Sequence, residues 1–304
     1  MRERRILIGV GKFLLVIVAI GVAIYLIALI TAKPAPALPW FTPRPGDHTP
    51  LVFAHQGGEN IRPSNTMEAF RHAVELGADV LDTDMHMTKD GVLVLMHDQT
   101  VDRTTNGRGA IRDLTLAEIK QLDAGYNFTT DDGQTFPYRG QALTVPTLEE
   151  LFQAYPDKRF GIEIKQTEPV ETAQRFCALI RQYQMQDSVL VSSFRQQNMD
   201  EFRKQCPEVA TSATEDEVRP FFFASLLGMT RAFTPNYNSL QVPEDAAGFH
   251  ILTPQFVAAA HERGLAVQPW TINEEDDLKR ILSLGVDGIN TDNPDRLLSL
   301  LDGK

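Results

Sequence analysis

From Leu51 onward, short β-branched or apolar runs alternate with stretches whose apolar positions recur every three or four residues. That alternation predicts repeated β-α units built around a parallel sheet. Eight runs read as strands: 51–55 (LVFAH), 79–84, 160–165 (FGIEIK), 188–193, 208–212, 238–242, 265–270 (LAVQPW) and 286–291. Eight such units predict an α/β fold of the (β/α)8 TIM-barrel kind, which uses about 250 residues and so nearly all of this chain. A ninth apolar run, Val92 to Met96, follows the second strand after only Thr88-Lys89-Asp90-Gly91. A parallel crossover needs about a dozen residues, whereas Asp-Gly signals a hairpin turn. Residues 92–97 are therefore expected as the return arm of a hairpin that leaves His97 over the barrel mouth.

The helical stretches are legible too. Asn65 with Glu68 resembles a capping box, and Met67, Phe70, Val74 and Gly77 follow at helical spacing. Between Asp98 and Tyr155 the chain is polar and Gly-rich, too long for an ordinary loop, and reads as a small insertion at about 98–155. The segment from Arg219 to Met229, with Phe221-Phe222-Phe223 and Leu226-Leu227, reads as an outer barrel helix or as a hydrophobic lip for a lipid chain.

Ahead of the barrel the pattern changes. Phe13 to Ala32 is a run of twenty residues without a charge, enough to cross a hydrocarbon core about 30 Å thick as a helix. Arg2, Arg4, Arg5 and Lys12 precede it, so residues 1–32 are expected as a basic cytoplasmic tip and single membrane span, with the barrel on the far side. A cleaved signal peptide ending near Ala35-Pro36-Ala37 is the competing reading, although its apolar part would be unusually long. Residues 33–50 are Pro-rich and read as a semi-rigid spacer, with the catalytic domain at 51–304.

Charge narrows the chemistry. The chain carries a net −11, and its first fifty residues hold six Lys/Arg against two Asp/Glu, so the remainder stands at −15. A nucleic-acid partner is not expected, because a phosphate backbone asks for a basic face. An anionic substrate would need a bound cation to reverse the local field. The two cysteines, Cys177 and Cys206, match no zinc or redox spacing and read as buried apolar residues, a disulfide being possible but not required.

Several charged residues fall at strand ends: His55 after the first strand, Asp82 and Asp84 on the second, Glu163 and Lys165 on the third, Asp292 past the eighth. In a parallel barrel these ends meet at one rim, where active sites of this fold are built. Converging carboxylates repel unless a positive charge sits among them, and Mg²⁺ or Ca²⁺ suits oxygen ligands. His55 and His97 could divide the proton transfers of a phosphodiester displacement, the ion and Lys165 meeting the phosphate charge.

Beyond these single residues, the chain carries in order His55-Gln56-Gly57-Gly58, Pro63-Ser64-Asn65-Thr66, Asp82-Thr83-Asp84, Thr88-Lys89-Asp90-Gly91, His97-Asp98 and Asp102 to Gly107. The series continues through Glu163-Ile164-Lys165, Val191 to Phe194, Pro269 to Asn273 and Gly285 to Asp292. The resemblance in these motifs is to the glycerophosphodiester phosphodiesterases. It implies a barrel of the phosphodiesterase type, a metal on Asp82, Asp84 and Glu163, and acid–base catalysis by His55 and His97. Gln56, Lys165 and Trp270 are the expected substrate contacts. A glycerol hydroxyl or a water would attack phosphorus, releasing an alcohol and a glycerol phosphate.

Three positions depart from the family's pattern: Gln56 stands where it has Arg, Ser64 where it has Glu, and Asp82 where it has Glu. Neutral residues at 56 and 64 together suggest that the two changes are linked by charge balance. The same chemistry would serve lysophospholipids, giving a lysophospholipase D-type activity. A membrane-anchored protein that binds phosphodiesters without cleaving them is the reading from another class.

Overall fold

A computed structural model describes residues 2–166 and 168–303; the side chains of 2–12 and 14 are not described. Eight parallel strands form the barrel: β1 (Leu51–His55), β2 (Val80–Met87), β3 (Arg159–Ile164), β4 (Val189–Ser192), β5 (Ala210–Thr211), β6 (Ser239–Leu240), β7 (Ala266–Val267) and β8 (Gly288–Thr291). Ladders join β8 to β1 and run from β1 through β2, β3 and β4 to β5. A bridge between Ser212 and Ser239 links β5 to β6, and β6 pairs with β7. The ring closes where Asp287 donates to the Val267 carbonyl and Asn290 to that of Pro269. Each strand falls within a residue or a few of its expected span.

The hairpin is also present. Leu93–Leu95 pairs antiparallel with Met85–Met87 of β2 and places His97 beyond the barrel rim. The insertion after it has its own small core of Val94, Met96, Val101, Ile111, Ile119, Ala124 and Val145. The helix Leu148–Ala154 already belongs to the main core, through Leu148, Leu151 and Phe152. Helix Glu215–Leu226 buries Phe221 and Phe222 in the core, whereas Phe223, Leu226 and the following Leu227 are exposed.

Two expectations change. Among the described residues no helix is long and apolar enough to cross a membrane, which overturns the single-pass anchor and the far-side placement of the barrel that followed from it. A span needs about 20 consecutive apolar residues facing lipid. The helix Arg2–Thr31 instead ends against Thr230–Ala232 of the barrel, and the Lys33 amide donates to Thr234 Oγ1 at 3.2 Å. The basic side chains Arg2, Arg4, Arg5 and Lys12 lie outside the described residues.

The segment 33–50 is more than a spacer. Ala35 hydrogen-bonds the Arg263 carbonyl, and Asn238 reaches the Pro36 carbonyl. Trp40, 1% exposed, packs on Phe53, Val80, Leu190 and Ala210 at the N-terminal ends of the strands. Buried Arg159 ties it down through the carbonyls of Trp40 (3.0 Å) and Thr42 (2.6 Å) and through Asp47 (2.7 Å). Pro fixes φ and cannot donate, which suits an extended strap satisfied by contacts from elsewhere. Cys177 and Cys206 form a disulfide that joins helix Pro169–Gln182 to the end of helix Gln196–Gln205.

Candidate active site

Strand register brings the charged strand ends together. His55 lies opposite Asp82, and Asp84 opposite Glu163. Alternation along β2 turns Asp82 and Asp84 to the same face. Lys165, one residue past β3, sets its ammonium 2.8 Å from Glu163 Oε2 and 3.2 Å from Asp84 Oδ1.

His55 is held from behind. Its Nδ1 lies 2.6 Å from Asp292 Oδ1, and Asn273 brackets that carboxylate, donating to Asp292 Oδ2 at 2.7 Å and accepting from the Asp292 amide at 2.9 Å. Its Nε2 is thereby turned inward, 3.3 Å from the Gln56 amide nitrogen. Burial alone would lower the His55 pKa. The hydrogen bond to Asp292 and the negative charges of Asp82, Asp292 and Asp84 outweigh it and raise the pKa to about 9.

Asp82 shows the opposite imbalance. Burial pushes its pKa up to about 7, against the pull of charged His55 and of the hydrogen bond from Asn290 (2.9 Å), with Asp84 and Glu163 adding repulsion. Glu163 is raised as well, by burial and by Asp84, in spite of Lys165. Burial is the largest cause of both shifts.

Asn65 links β1 to β2. It occupies the left-handed region at φ 54°, and its amide nitrogen lies 3.2 Å from Gln56 Oε1 and 3.3 Å from Asp84 Oδ2, while Thr83 donates to its oxygen at 2.6 Å. The helix cap expected at Asn65 belongs to Thr66, whose hydroxyl accepts from the Ala69 amide. Asn65 is thus free to serve the site. Ser64 lines a second cleft of about 190 Å³ with Glu59 and Arg103, whereas Gln56 is buried.

His97 faces Glu163 and Lys165 across an open cleft of about 420 Å³ that Phe194 and Arg195 also line. Its Nδ1 lies 2.9 Å from Asp98 Oδ1. Trp270 borders this space through Phe194, whose ring meets it edge-on with centroids 5.7 Å apart. His55, Gln56, Asp82, Asp84, Glu163 and Lys165 thus form one connected group, with His97 and Trp270 on its borders. Asn65, Asn273 and Asn290 lie inside motifs quoted from the sequence, Asn65 also as a helix cap, but none stood out as a site residue because an uncharged amide gives no signal of its own. Asp292 was noticed by position, not as the partner of His55.

For a metal, the donor chemistry fits: three carboxylates, all hard oxygen, with negative charge in excess of one lysine. Their oxygens are not gathered into a tight cluster. Among the described residues, ligand atoms lie within 4.8 Å of one another at His55, Glu59 and Asp292, at Glu244, Asp245 and His250, and at the disulfide with Glu208. The Lys165 ammonium lies on two of the three carboxylates, those of Asp84 and Glu163.

The sequence model described as "Glycerophosphoryl diester phosphodiesterase family" matches residues 55–296. A glycerophosphodiester phosphodiesterase of Caldanaerobacter subterraneus is 37% identical over 257 residues, covering 83% of this chain and 97% of its own length. The chain belongs to the glycerophosphoryl diester phosphodiesterase family. It is accordingly an enzyme, a phosphoric diester hydrolase, and the non-catalytic binding protein is set aside. An Oleispira antarctica phosphodiesterase, solved with the product sn-glycerol-3-phosphate, is 27% identical with a TM-score of 0.68, covering 84% of this chain and 97% of that one. A rat protein named lysophospholipase D is 26% identical over 279 residues, 82% of this chain and 85% of its own.

Proposed function

We propose that this family member hydrolyses glycerophosphodiesters to an alcohol and glycerol 3-phosphate with Mg²⁺ or Ca²⁺ held by Asp82, Asp84 and Glu163. The observation that carries the proposal is the connected group of His55, Asp292, three carboxylates and Lys165 on one barrel rim. The ion, when bound, supplies positive charge to a non-bridging phosphate oxygen. Lys165 and the Gln56 amide would add hydrogen-bond donors to the phosphate. His55, held at Nδ1 by Asp292, gives a proton from Nε2 to the leaving alcohol as the P–O bond breaks. His97, its Nδ1 side engaged by Asp98, takes the proton of the attacking oxygen as the new O–P bond forms. Attack by water gives glycerol 3-phosphate directly, whereas attack by the glycerol hydroxyl gives a cyclic phosphodiester that water opens in a second displacement.

Lysophospholipids are the second reading, favoured by one observation: Phe194 is 57% exposed at the cleft, beside Trp270, and would accept an acyl chain. The name of the rat relative agrees with it. The test is alcohol release from glycerophosphocholine, glycerophosphoethanolamine and glycerophosphoglycerol against choline release from lysophosphatidylcholine. Turnover of the soluble diesters supports the first reading. Turnover of the acylated substrate alone replaces it with the second.

A further inference from the structure

The second cleft borders an ion-pair chain that no step above uses. Arg103, in the insertion, donates through Nε to Asp98 Oδ2 at 2.7 Å and through Nη2 to Asp98 Oδ1 at 3.2 Å. Its Nη1 reaches Glu59 Oε1 at 2.7 Å. Asp98 is the residue on His97 Nδ1. Glu59 follows the tight turn after β1, and its amide donates to the His55 carbonyl at 3.3 Å. One guanidinium therefore joins the loop that carries His97 to the loop that carries His55.

We infer that Arg103 is a positioning residue that fixes the ring orientation of His97 relative to His55 through Asp98 and Glu59. Stability is not the reason for these contacts. Arg103 is 46% exposed at its side chain, and surface ion pairs are worth little. Their value is geometric: a planar fork holds a carboxylate in one rotamer, where an ammonium would not. With both oxygens of Asp98 engaged, its carboxylate cannot swing off His97. An Nδ1–H bonded to Asp98 leaves Nε2 as the acceptor on the cleft side. The base of the fork is itself fixed, since Asn127 Nδ2 donates to the carbonyls of Arg103 and Thr105, both at 3.0 Å. Asp98 responds as expected of an engaged carboxylate: burial would raise its pKa, but Arg103 and His97 bring it below the ordinary value.

The inference rests on His97 acting in catalysis, and the experiment separates the two claims. Steady-state kinetics on glycerophosphocholine with saturating divalent cation would compare Arg103→Ala in the wild type and in a His97→Ala background. In the wild type kcat should fall by about 10- to 100-fold, the scale of a misplaced catalytic group, with KM nearly unchanged. In the His97→Ala background the same substitution should change kcat by less than about twofold, because a residue that acts through His97 has nothing left to position. Equal losses in both backgrounds would overturn the inference alone. A His97→Ala enzyme as fast as wild type would overturn it together with the role of His97. If melting shows that Arg103→Ala does not fold, Arg103→Lys, which keeps the charge and loses the fork, carries the same comparison with the same outcomes.

Discussion

At the scale of single residues, His55 and Asp82 hold native protons that an unfolded chain would release at lower pH. His55 titrates near 9 against 6.5 for an unperturbed histidine, and Asp82 near 7 against 3.8. A raised histidine stabilises fully below its unfolded pKa and loses that contribution as pH rises through the folded one. A raised carboxylate acts in the same direction, since the native state again binds the extra proton. In EDTA, the melting temperature should therefore fall as pH rises from about 6 to 9, with His55 contributing at most about 3 kcal/mol. Asp292→Asn removes the strongest contact favouring the imidazolium, so it should flatten that slope and slow turnover; scanning fluorimetry across the pH range checks it, and an unchanged slope would contradict the pairing. The sequence showed the charged members of this site because charge at strand ends is conspicuous. It could not show Asn65, Asn273 or Asn290, whose roles depend on which carboxylate each amide reaches in space.

Elements set the precision of the site. The register of β2 on β3 places Asp82 across from Gly161, and a Cβ built at Gly161 would meet Asp82 Oδ1 at 2.3 Å. The missing side chain is the space in which the carboxylate lies. Gly161→Ala should displace Asp82, lowering turnover by at least about tenfold while costing only a few degrees of melting temperature. Wild-type turnover would show that Asp82 can shift without consequence. Strands were legible from apolar runs, and the hairpin from its Asp-Gly turn after β2, because both depend on local pattern. The cap at Thr66 in place of Asn65 was not, since two adjacent capping types compete and the site claimed one of them.

At the scale of the molecule, the barrel was legible from its eight runs, whereas residues 33–50 were misread because their composition resembles a linker. What binds them is Trp40 between strand ends and Arg159 against their carbonyls, the latter 119 residues from Trp40 in the chain. Trp40→Ala should cost about 3–5 kcal/mol, read by denaturant melts, and a loss below about 1 kcal/mol would mean that the strap merely rests on the barrel. Truncation before Ala35 should be tolerated far better than truncation through Trp40. The run Phe13 to Ala32 suggested a span by its length, its lack of charge and the basic residues before it, whereas the end of that helix is placed against the barrel. The central claim is that diester hydrolysis at this rim depends on an ion held by Asp82, Asp84 and Glu163. Its most direct test is the rate of glycerol 3-phosphate release from glycerophosphocholine, titrated with free Mg²⁺ or Ca²⁺ after EDTA treatment, for the wild type and Glu163→Gln. The wild type should be inactive in EDTA and recover with added ion, while Glu163→Gln requires at least about tenfold more ion and reaches a lower rate. Full activity of either protein in EDTA would contradict the account.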